Sequence, residues 1–142
     1  MSAWELAGPL LLLCSMADKL FGKQLIIWVD NSGAVMMFKK GCSTKCNLCC
    51  SLIVAINDVA RAIGCEVDIR KIRRCSDLGS VAADKLSKAK FRDFHDLVPH
   101  ANMDYVAAPN SFLTWIQDPV PDRFLGEKIV SEMAQFYKLV SH

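Results

Sequence analysis

Between Leu25 and Ile72 the spacing of apolar residues changes from continuous to helical and back again, and few folds accommodate that alternation. Leu25-Ile-Ile-Trp-Val29 is a short β-branched and aromatic run, which reads as a buried strand. Leu48, Leu52, Ile53, Ile56, Val59, Ala60 and Ile63 then recur at helical spacing, and Gly64 is placed to stop that helix. Ser43 or Thr44 is the expected N-cap. Residues 66–72 read as a second strand with Val67 and Ile69 on one face and Arg70 pointing outward. Strand, helix, strand in this order implies parallel strands joined by a right-handed crossover.

The flanks extend the alternation. Ser2-Ala-Trp-Glu5 has the spacing of a capping box and opens an apolar helix closed by Gly22, with Pro9 placed to bend it. Residues 34–40 form a short amphipathic piece stopped near Gly41. Ser80 is the expected cap of a helix running through Asp84 and Leu86 toward Phe94. Pro99, Pro109, Pro119 and Pro121 punctuate the segment after His95, around a short apolar piece at 112–116. A last helix is expected from Asp122 or Gly126 to about Val140, with Ile129, Val130, Met133, Phe136 and Val140 on one face. The expected class is α/β. Helix-strand-helix-strand-helix covers 1–94, a linker covers 95–109, and a helical C-terminal extension covers 110–142. That extension either packs back on the domain or docks on a partner.

Charge is segregated. From Lys39 to Arg92 there are 12 Lys/Arg against 5 Asp/Glu, whereas the whole chain is only +2. A basic middle suits a polyanion-facing surface, and it equally suits a solvated helix face. Seven cysteines are many for 142 residues, and the number is odd. The apolar run at 10–13 follows Glu5 rather than a basic segment, so it is not expected to be a signal peptide, and it is too short to span a bilayer. These features imply an intracellular chain with reduced thiols, in cytoplasm or nucleus, and no membrane partner. Cys46-x-x-Cys49 is present without a second pair at zinc-knuckle spacing. Cys49 falls on the apolar stripe of its helix, where cysteine acts as a small hydrophobe. His95, His100 and His142 lack partners at ligand spacing, and solvent exposure is expected.

Three carboxylates fall where an alternating fold can gather them. Asp30 ends a strand, on the edge where parallel sheets place ligands. Asp84 lies early in the helix after the second strand. Glu5 lies near the start of the first helix. Each has a local reading too: Glu5 as a helix cap, Asp30 as a turn residue before Asn-Ser-Gly, and Asp84 as a complement to a helix dipole.

Several segments together resemble the ribonuclease H-like domain of retroelement reverse transcriptases, of a eukaryotic and fungal flavour. They are Glu5-Leu-Ala-Gly-Pro-Leu-Leu11, Val29-Asp-Asn-Ser-Gly-Ala-Val35, Gly41-Cys-Ser-Thr44, Ile72-Arg-Arg-Cys-Ser76 and Ala82-Ala-Asp-Lys-Leu-Ser-Lys88. The resemblance covers about residues 4–94. It implies a partial ribonuclease H-like fold and a catalytic, metal-binding set of Asp, Glu, Asp, Asp. Glu5, Asp30 and Asp84 match the second, third and fourth members. The first aspartate and the family's three opening strands have no counterpart in the chain, which implies an N-terminally truncated domain of a polyprotein. The resemblance further implies a two-ion Mg²⁺ site, weak or absent here, and an RNA–DNA hybrid or other nucleic acid as partner. Asn31, Lys39, Lys40, Lys45, Arg70, Lys71, Arg73 and Arg74 are the candidate contacts to that nucleic acid. The missing strands of a polyprotein are a second candidate partner.

Overall fold

A computed structural model describes residues 4–41, 46–72, 78–100, 106–121 and 124–140, without the side chains of residues 4, 78–80, 84, 87 and 136–140. It is a mixed α/β structure whose helices dominate. α1 (Trp4–Ser15) and α2 (Ala17–Leu20) lead into β1 (Gln24–Val29). α3 (Ser32–Lys40) and α4 (Asn47–Ala62) cross over to β2 (Glu66–Lys71). α5 (Leu78–Ser87), α6 (Phe91–Leu97), α7 (Asn110–Gln117) and α8 (Leu125–Val140) complete the chain. No helix among the described residues is long and apolar enough to cross a membrane.

β1 and β2 pair in parallel, as the alternation predicts, with Leu25 opposite Val67 and Ile27 opposite Ile69. These four residues face the helices, and Ile69 is fully buried. The opposite face is open. Ile26 is 44% exposed and Trp28 55% exposed, so β1 is half-covered rather than buried on both sides. The expectation of a fully buried strand fails because the described helices pack against one face only. On the open face the Arg70 guanidinium lies 5.8 Å from the Trp28 ring centre and its Nε donates to Asp68 at 2.7 Å. Arg70 does point outward.

α4 is the central element. Its apolar stripe, Leu52, Ile53, Ile56 and Val59, is fully buried. α1 covers one side of it with Leu6, Leu10 and Leu13, and α8 covers another with Leu125 and Ile129. Phe112 and Trp115 of α7 join the same core. The C-terminal helices therefore pack back on the domain. Of the face expected on α8, Ile129, Val130 and Met133 meet the core; the Phe136 and Val140 side chains lie outside the described residues.

Several boundaries shift. The first helix breaks at Met16 into α1 and α2, and Pro9 is accommodated inside α1. Cys46, rather than Ser43 or Thr44, caps α4, and Ser43 and Thr44 lie outside the described residues. Gly64, in the left-handed region at φ +65°, turns the chain after α4 as expected. α5 starts at Leu78, ahead of the expected Ser80 cap. Ala89 takes φ +56°, and the single expected helix toward Phe94 divides there into α5 and α6. α6 runs on to Leu97.

Two packing devices hold the C-terminal pair, and both supply acceptors to helix N-termini, whose first N–H groups have no partner within the helix. Asp58, largely buried on α4, accepts a 2.7 Å hydrogen bond from the Gly126 amide in the first turn of α8. Gly126 sits so close that a Cβ there would lie 2.6 Å from Ala62 Cβ and 2.7 Å from the Asp58 carbonyl oxygen. Glu132 of α8 accepts from the Asn110 amide at 2.7 Å, the Ser111 amide at 3.1 Å and the Ser111 hydroxyl at 2.7 Å, so it caps α7. Burial opposes ionisation of Glu132. The three donors outweigh it and hold its carboxyl below the usual value.

Candidate functional site

The parallel pairing of β1 and β2 defines one carboxyl edge. Asp30 follows β1 directly at that edge and is exposed. Asn31 comes next as the N-cap of α3, with its Oδ1 accepting from the Ala34 amide at 3.0 Å. That side-chain oxygen is committed to the cap, so the candidate nucleic-acid contact at Asn31 also serves the fold. The local sequence explains the turn: Asn is a good cap, and the apolar Ala34 and Val35 bury directly after it.

The chain path fixes the other acids less tightly. The Gly22 amide bonds the Ile63 carbonyl at 3.2 Å, which ties the approach to β1 to the C-terminal end of α4 at the amino edge of the sheet. α1 reaches that edge with its own C-terminal end, through α2. Glu5 lies in the first turn of α1, at the end away from that edge, and is exposed. Asp84 lies in the second turn of α5, the helix reached from the carboxyl end of β2; its side chain lies outside the described residues. Among the described residues no three His, Cys, Asp or Glu side chains gather as a metal site. Glu5 and Asp30 are oxygen donors suited in type to a hard cation.

The candidate basic contacts divide in three. Lys39 and Lys40 are exposed in the last turn of α3, where cations also complement the helix dipole. Lys71 is exposed at the carboxyl end of β2, while Arg70 beside it is engaged with Asp68 and Trp28. Lys45, Arg73 and Arg74 lie outside the described residues.

Cysteine chemistry departs from the sequence expectation. Cys14, Cys46, Cys49 and Cys65 are free, but Cys50 is disulfide-bonded. Burial pushes the Cys14 thiol up to about 12, with Glu132 adding to it. Cys49 is buried on the apolar stripe as expected. Cys46 is not inside the helix but at its cap, a role its spacing from Cys49 signals. His95 and His100 are exposed, and His95 touches the Phe94 ring edge-on; His142 lies outside the described residues.

No protein-family model, curated protein or solved structure matches the chain.

Proposed function

We propose that this chain carries ribonuclease H-like residues of a retroelement polyprotein, ancestrally a two-metal endonuclease acting on the RNA of RNA–DNA hybrids, and that these residues are inactive by themselves. One observation carries the reading: Asp30 stands at the carboxyl edge of a parallel strand pair, where α/β sheets hold their ligands. The order of elements around it supports the same reading. The three acids belong to α1, the end of β1 and the helix after β2, as the motif match requires.

In this reading Glu5, Asp30 and Asp84 would hold Mg²⁺, which would supply an activated water and charge stabilisation at the leaving oxygen. The chain lacks a match to the first aspartate. With one fewer negative charge, the three acids would offset divalent cations poorly, and binding would be weak. Lys39, Lys40 and Lys71 contact phosphates, and the hybrid is recognised by shape and 2′-hydroxyls rather than by base identity.

The test is a binding and cleavage assay on an RNA–DNA hybrid with Mg²⁺. The expected result is binding that weakens steeply with salt, without cleavage. Mg²⁺-dependent cleavage by the chain alone, lost in Asp30→Asn, would overturn the inactivity; absence of hybrid binding at low salt sinks the reading as a whole.

A second reading, a non-catalytic nucleic-acid-binding remnant, is favoured by the open face of the sheet. There an exposed Trp28 lies under Arg70, a stacking surface suited to unpaired bases. Tighter binding of single strands than of hybrid, abolished by Trp28→Ala, would select it.

A further inference from the structure

The start of α4 holds a feature that nuclease ancestry does not use. Cys46 is the N-cap of a 16-residue helix and takes an extended backbone conformation there. Its sulfur accepts from the Cys49 amide at 3.2 Å. The Cys49 thiol and the Leu48 amide lie close enough to favour negative charge on it. No acidic residue in the first turn of α4 competes for the helix's positive end. Cys46 is half-buried and Cys49 is buried directly beneath it. Cys46, in its extended cap conformation, already turns its sulfur onto the Cys49 amide, so the two side chains share the first turn of the helix.

We propose that Cys46 and Cys49 form a redox-active dithiol, with Cys46 as the attacking and Cys49 as the resolving sulfur, oxidised by a low-molecular-weight disulfide such as glutathione disulfide. The Cys46 thiolate attacks one sulfur of the small disulfide, forming a mixed disulfide and releasing one thiolate. Cys49 then gives up its proton to solvent and attacks the Cys46 sulfur. The Cys46–Cys49 bond forms and the second small thiolate leaves. Two protein thiols are oxidised, and one small disulfide is reduced to two thiols.

The division of roles reflects the surroundings. The Cys49 thiol, the Cys49 amide and the Leu48 amide all stabilise negative charge on Cys46 and hold it below the usual thiol value. Burial, then the hydrogen bond to Cys46, pushes Cys49 up to about 11, so Cys49 stays protonated until the mixed disulfide removes the charge beside it. The other free cysteines lack this arrangement. Cys14 is buried, and Cys65 is buried with its thiol directed at the Glu66 carbonyl.

The test exposes the full chain to graded glutathione disulfide, blocks free thiols with iodoacetamide, then reduces and labels with N-ethylmaleimide before peptide mass analysis. Cys46 and Cys49 should become protected together, at least about tenfold faster than Cys14 or Cys65, and without a lasting glutathione adduct. Cys49→Ser should instead trap glutathione on Cys46, with an unchanged circular dichroism spectrum confirming that the variant is folded. Independent oxidation of the two sulfurs, a stable glutathione adduct on the unsubstituted chain, or protection no faster than at Cys14 would overturn the proposal. So would one equivalent of zinc retained by the reduced chain.

Discussion

The helical core and the two-stranded sheet occupy one chain but are built to different standards. Around the apolar stripe of α4, side chains from α1, α7 and α8 are buried in one core, and carboxylates cap the N-termini of α7 and α8. The sheet has two strands, one covered face and an open face carrying Ile26 and Trp28. Among the described residues β1 pairs with β2 alone. Parallel sheets are ordinarily covered on both faces, so this one is stabilised mainly where it leans on the helices. The contrast separates what keeps the molecule folded from the edge that carries Asp30. Asp30 sits at the lightly supported part.

The largest effect should come from the core. Ile56→Ala removes a fully buried side chain from the centre of α4 and should destabilise by about 2–5 kcal/mol in a denaturant titration. A loss below about 1 kcal/mol would break the claim that α4 is the central element.

Next comes the α4–α8 contact. Gly126→Ala drives a methyl group into Ala62 and the Asp58 backbone, and overpacking of this kind costs about 1–3 kcal/mol. If the variant melts with the unsubstituted chain, α8 is not seated as described.

A smaller effect, seen through pH, sharpens the comparison at the α7–α8 clamp. The Glu132 carboxyl is held below its ordinary value in the folded state. Its contribution is therefore present above the unfolded value of 4.5 and is lost as pH falls through the lower folded value. Glu132→Gln should lower stability at neutral pH by about 1–2 kcal/mol and flatten its fall below pH 4.5. An unaltered acid limb would show that the clamp carries no proton linkage.

The smallest effect belongs to the open face. Ile26→Thr, a β-branched replacement at an exposed strand position, should change stability by no more than about 0.5 kcal/mol. A loss several times larger would mean that something covers that face in solution.

Much of this organisation is legible in the residues. Period changes locate both strands, the crossover and the final helix, because burial of one face writes itself into spacing. Gly41 and Gly64 mark turns, each with a positive φ that suits glycine. The position of Asp30 at a strand end is readable for the same reason. Other features leave no local trace. Asp58 in an apolar helix is a signal, but its partner, Gly126, is 68 residues away. Glu132 reads as a surface glutamate until α7 is laid against it. The exposure of Ile26 and Trp28 runs against the spacing of β1, since a continuous apolar run does not say how many layers cover it.

By itself the sequence determined the class of fold, the parallel sense of the strand pair and the stripe of α4. All three rest on local periodicity and on the handedness of chain connections. Only the tertiary structure decided which face of β1 stays open and which carboxylates cap which helices. Those outcomes depend on which distant groups come within hydrogen-bonding or packing range, and no window of neighbouring residues contains that information.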